Sequence, residues 1–159
     1  MEGITTFLWF DGNAEEAANF YVSVFPNSEI NDVSRYGEVG PGESGQVMTV
    51  AFTLNGRPFI ALNGGPEHAS FNLAVSFMIN CESQEEVDYY WDALGKGGKE
   101  IQCGWLTDRF GLPWQIIPTA LPELLSDPDR DKAQRAMKAM LEMTKIDINK
   151  LREAAKASA

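Results

Sequence analysis

The feature that most limits what this chain can fold into is an internal repeat. Glu15-Glu16-Ala17-Ala18-Asn19-Phe20-Tyr21 lies over Glu85-Glu86-Val87-Asp88-Tyr89-Tyr90-Trp91 at an offset of 70 residues. In each copy two carboxylates precede an apolar-aromatic helix face, and an apolar strand pattern precedes the carboxylates. Two copies of one supersecondary unit make a two-module duplication, not a long array.

The flanking sequence fills out each copy. Ile4–Phe10 is β-branched and aromatic and reads as a buried strand. Asn13 is the expected helix N-cap, Ala17, Phe20, Tyr21 and Val24 share a face, and Pro26-Asn27 stops the helix. Glu29–Tyr36, Gln46–Leu54 and Pro58–Asn63 read as strands, the last two joined by Asn55-Gly56, a strong hairpin signal. The order then recurs. Leu73–Asn80 is a strand, Ser83-Gln84-Glu85-Glu86 is a capping box, and Val87, Tyr90, Trp91 and Leu94 line a helix. Lys99–Cys103, Trp105–Phe110 and Trp114–Ile117 complete the second copy. The expected fold class is α+β, with two β-α-β-β-β modules over 4–65 and 72–118 in a single domain spanning 1–159. Helices are expected over 121–157, where Asp127-Pro128 and Asp147 are start signals and Ala133, Ala136, Met137, Met140 and Leu141 form an apolar stripe.

Composition narrows the partners. A formal charge of −10 over 159 residues repels phosphate backbones and anionic lipid surfaces, which argues against a nucleic-acid or membrane role. Two cysteines make no disulfide framework, and MEGITTFLWF has neither the basic region nor the apolar run of a signal peptide. The expected location is cytoplasmic.

Four blocks carry a family likeness: Trp9-Phe10-Asp11-Gly12, the Phe20-Tyr21 to Ser28 stretch, Ala61-Leu62-Asn63-Gly64-Gly65, and Cys103-Gly104-Trp105 through Trp114-Gln115. Together they resemble the PhnB-like family, labelled 3-demethylubiquinone-9 3-methyltransferase, within the vicinal oxygen chelate superfamily of glyoxalases and bleomycin-resistance proteins. The likeness is read over nearly the whole chain, including the C-terminal helices. It implies that each module curls into a curved, mixed-sheet half-barrel and that the sheets enclose a pocket. Metalloenzymes of the superfamily place ligands on the first and last strands of each module, which here are Thr6, Ala61, Ser76 and Gln115. Ala61 offers no donor and hydroxyls are poor ones, so neither a metal nor another cofactor is expected. Alternation from those positions turns Thr6, Leu8, Ala61, Asn63, Ser76, Met78 and Gln115 into the pocket, with Trp105 as a wall and Trp9 and Trp114 pointing away.

Catalytic candidates are few. His68 is the only histidine, Cys103 is a thiol beside a glycine, and Asp108 precedes Arg109 near the expected pocket rim, where a desolvated carboxylate would act as a base. Asp108 equally fits a turn residue that bonds its own backbone. The sequence Gly40-Pro41-Gly42-Glu43-Ser44-Gly45 matches a dinucleotide-loop pattern in letters, but a strand follows it where a phosphate site needs a helix. The expected function is binding of a small organic molecule by a homodimer, paired through the C-terminal helices or the sheet edges. The alternative is a metal-independent enzyme, including the family-labelled methyltransferase.

Overall fold

The structure, a computed structural model, describes residues 3–157. Its contacts divide it into two compact units, Met1–Ser70 and Phe71–Ala159, with the boundary in the segment joining the expected modules.

The first unit contains β1 (Thr6–Phe10), α1 (Ala14–Val24), β2 (Glu29–Arg35), β3 (Val47–Leu54) and β4 (Arg57–Asn63). They form an open mixed sheet of order β1-β4-β3-β2, with β1 parallel to β4 and the other pairs antiparallel. Asn55 and Gly56, both at positive φ, make the two-residue turn between β3 and β4. That turn sets Phe52 opposite Phe59 and Val50 opposite Ala61. Tyr21 of α1 stacks on Phe52, and Phe52 stacks on Phe59. Paired residues share a sheet face, so Leu8, opposite Ala61, belongs to the same core. Burying each such side chain contributes about 1.5–3 kcal/mol. Asn13 occupies the N-cap position but makes no side-chain capping bond. Asn63, at the end of β4, substitutes for it: Ala14 N donates to Asn63 Oδ1 at 2.9 Å, while Asn63 Nδ2 donates to Val47 O.

The second unit contains β5 (Phe77–Cys81), α2 (Gln84–Gly95), β6 (Lys99–Glu100), β7 (Trp105–Thr107) and β8 (Pro113–Pro118), followed by α3 (Ala120–Leu125), α4 (Arg130–Leu141) and α5 (Ile148–Lys156). The sheet order is β5-β8-β7-β6, with β5 parallel to β8. Leu106 packs beneath Gly95 of α2, and its cross-strand neighbours Trp114 and Phe77 share that face. β5 starts later than the expected Leu73, because Asn72 Oδ1 accepts from Ala74 N and holds that stretch in a turn. Ser83 caps α2 through Glu86 N, but the Glu86 carboxylate reaches back to Glu82 N, one residue beyond the expected capping-box partner.

In the C-terminal piece, α3 begins after Thr119, whose side chain makes no capping bond. α4 is capped by Asp129, not by Asp127, and α5 by Asp147 as expected. Ile117, Leu121, Ile146 and Leu151 form its core, with Met140 and Met143 packed against them. Gln84 ties this piece to α2: its Nε2 donates to Ile146 O, and its Oε1 accepts from Ile148 N. Lys145 pairs with Asp88 at 2.8 Å, and that hydrogen bond holds the Asp88 carboxyl below its usual range. Among the described residues no helix is long and apolar enough to cross a membrane.

Candidate functional site

The face of the second sheet turned away from α2 brings four expected residues together. Gln115 on β8 lies opposite Met78 on β5 and Trp105 on β7, and its Nε2 donates to Ser76 Oγ at 2.9 Å. Period-two alternation explains the grouping, since the neighbours Trp114 and Ile116 turn to α2 and are buried. Among the described residues Gln115 Oε1 accepts no hydrogen bond, so an acceptor, a hydroxyl, an indole and a thioether line one open sheet face.

The first module corrects the expected strand phase. Leu8 (5% exposed) and Ala61 (0%) are core residues beneath α1, and Thr6, opposite Phe59, lies on that same face. Asn63 spends its side chain on the α1 cap and β3. The cause is a one-residue difference in the connections. Asp11 to Asn13 join β1 to α1, whereas only Glu82 and Ser83 join β5 to α2. Superposing the helices therefore slips the strands by one residue, which turns every side chain over. The face of the first sheet away from α1 instead carries Phe7, Trp9, Thr49, Ile60 and Leu62. Trp9, expected to point the other way, is on it, with Nε1 donating to Gly65 O and its ring edge-on to His68. Trp114 faces α2, as expected. The signal that would have fixed the phase was present: the Asn55-Gly56 turn places Phe52 against Phe59, and two aromatics paired across strands belong under a helix.

The first unit also contains a cleft of about 590 Å³ at the ends of β1 and β4. Asp11, Glu15, Glu43, Gln46 and Tyr36 line it, together with Asn63. Tyr36 Oη donates to Asn63 O at 2.6 Å, and its ring fills the space a Cβ would need at Gly42. That contact shapes the glycine-rich loop. The loop runs into β3, and three carboxylates face the cleft, so it is no phosphate cradle.

The catalytic candidates separate on inspection. Asp108 is 2% exposed, and its carboxyl oxygens accept from Phe110 N, Leu112 N and Trp114 Nε1 at 2.9–3.0 Å. It closes a turn and holds an indole. His68 is exposed in the 64–76 segment, against Trp9. Cys103 has φ 62 and heads a tight turn in which Cys103 N and Gly104 N donate to Met143 O and Thr144 O. Asp108 and Cys103 are thus each part of a turn within the second unit, and His68 belongs to the first unit. Burial, and secondarily Glu86, pushes the Cys81 thiol up to about 12, which suits an inert core group. The superfamily's metal does not fit: Ala61 lacks a donor, Thr6 and Ala61 face α1, and Ser76 and Gln115 are neutral. No group of three or more His, Cys, Asp or Glu suited to a metal occurs among the described residues.

Comparison with known proteins bears on this geometry. A sequence model of the 3-demethylubiquinone-9 3-methyltransferase family matches residues 2–117. It ends in β8, short of the C-terminal helices to which the likeness had been extended. A PhnB protein from Bacillus cereus is 40% identical over 74% of this chain and 100% of its own, with a TM-score of 0.68. Protein PA1353 from Pseudomonas aeruginosa is 21% identical over 74% of this chain and 98% of its own, with a TM-score of 0.62. The fosfomycin resistance protein FosX from Listeria monocytogenes is 16% identical over 77% and 98%, with a TM-score of 0.51, a likeness of fold. No curated protein matches the chain. The chain belongs to the 3-demethylubiquinone-9 3-methyltransferase (PhnB-like) family and has the vicinal oxygen chelate fold.

Proposed function

We propose that this protein is a homodimer that binds a small organic molecule on the open face of its second sheet, through neutral hydrogen bonds and without a metal. The observation that carries the reading is the Gln115–Ser76 pair. It is a pre-oriented amide and hydroxyl between Trp105 and Met78, on a face that α2 leaves uncovered. Such a surface orients a polar, partly apolar molecule: the amide oxygen accepts from it, and the indole and thioether supply contact area. The family's methyltransferase description is the second reading. Its cofactor has no cradle in the glycine-rich loop, and calorimetry with S-adenosylmethionine should give no one-site binding at micromolar concentration.

Native mass spectrometry of untagged protein from its own host tests the proposal. The expected spectrum shows an organic adduct that a Gln115→Leu protein loses. One removable metal ion per chain, needed for binding, would overturn it.

A further inference from the structure

We infer that α4 and α2 pair between two copies of this chain, with Tyr89 of each copy seated in a groove of the other between α3 and α4. The inference rests on the homodimer reading above and names its surfaces.

Three observations point to it. The helices α3 to α5 lie beyond the family match, and eight of the 13 Lys and Arg follow Pro118 against seven of the 23 Asp and Glu. An appended, near-neutral piece thus sits on a body that carries the acidic excess. Second, the stripe expected to be one apolar face of α4 is split. Ala136 and Met140 turn inward, while Met137 (40% exposed) and Leu141 (55%) face outward, with Lys138 between them in sequence and Arg130 two turns before Met137. A groove of about 270 Å³, lined by Leu125, Ala133, Gln134 and Met137, opens beside them. It is roomy enough for one aromatic ring. Its one carboxylate, Asp127, is already paired with Lys132 at 2.6 Å.

Third, α2 presents the complement. Glu85, Tyr89 and Asp92 recur at helical spacing on its exposed side, and Tyr89 is 51% exposed. On α4 two cations stand eight residues, about 12 Å, apart, with Ala133 and Met137 of the groove between them. On α2 two carboxylates seven residues apart, about 10 Å, bracket an aromatic. An anchoring Tyr in a pocket with flanking charges is the usual build of an interface centre. A two-fold axis makes both contacts twice and closes the assembly.

Sedimentation equilibrium at tens of micromolar tests this in 50 mM and 500 mM salt. Wild type should sediment at twice 17.6 kDa, more weakly at high salt. Glu85→Lys with Asp92→Lys, and separately Arg130→Glu with Lys138→Glu, should each weaken dimerisation roughly 10- to 100-fold. An equimolar mixture of the two variants should form heterodimers, and the quadruple variant should recover the homodimer. Far-UV circular dichroism should be unchanged, because all four positions are exposed. Wild type that stays at 17.6 kDa would end the homodimer reading itself. Both double variants dimerising like wild type, or no recovery on mixing, would leave a dimer but overturn this pairing of faces.

Discussion

Asp108 separates a structural account of the Trp105–Gln115 block from a catalytic one. Its carboxyl group is buried, and three N–H donors converge on it: two from the backbone of its own turn and the indole of Trp114. Asp108→Ala leaves all three without their acceptor. At roughly 1–2 kcal/mol per orphaned buried donor the cost is about 3–6 kcal/mol. That is a large part of the 5–15 kcal/mol that stabilises an ordinary domain. Asp108→Asn is the sharper probe. Its amide oxygen can still accept from Phe110 N and Leu112 N, but its NH₂ then meets the Trp114 N–H, one donor against another. The expected loss is about 1–3 kcal/mol, smaller than for alanine. Urea unfolding followed by tryptophan fluorescence should show both variants shifted to lower midpoints in that order, with the slope unchanged. Two results would refute the reasoning. One is wild-type stability for Asp108→Ala. The other is an Asp108→Asn protein of normal stability that has lost turnover of a substrate, which would make Asp108 a catalytic base.

Ala61→Leu tests the corrected strand phase: overpacking beneath α1 should cost about 1–3 kcal/mol in urea unfolding, whereas a residue facing an open sheet surface would tolerate the added bulk. Gln84→Ala frees Ile146 O and Ile148 N and should cost about 1–3 kcal/mol, with faster amide exchange across α5 and little change in α1. The Cys81 thiol, raised from 9.0 to about 12, is held neutral by the fold. Because its folded value is the higher one, its contribution is complete below pH 9 and declines as pH rises towards 12, so stability should fall across that window less steeply in Cys81→Ala. In the native protein a thiol reagent should modify Cys103 far faster than Cys81, and both alike in denaturant.

The fold was legible because its signals are local and agree with one another. Asn55-Gly56, the paired helix starts and the alternation in β3 each fixed one element, and together they fixed the order of both modules. Half of the candidate site was legible because the family resemblance supplied Ser76 and Gln115, and alternation along β5 then placed Met78 on their face. The other half was not, because in the first module the positions that the resemblance implies fall one residue out of phase with the strands. Helices tolerate a connection one residue longer, but strands do not, and Leu8 and Ala61 ended under α1. The role of Asn63 was hidden for a different reason: a helix cap supplied from 49 residues away leaves no pattern near the helix itself. α3 falls within the stretch expected to be helical over 121–157, but it was not separable from the next helix because Ala120–Leu125 is short, contains a proline and has no side-chain cap.

The proposed ligand site is the open face of the second sheet. Chemical-shift mapping on isotope-labelled protein, titrated with the molecule recovered by native mass spectrometry, tests it most directly. Saturable shifts are expected at the Gln115 side-chain amide, Ser76, Met78 and the Trp105 indole, all absent in Gln115→Leu. Shifts confined to Asp11, Tyr36, Gln46 and their neighbours would contradict it and move the site to the acidic cleft of the first unit.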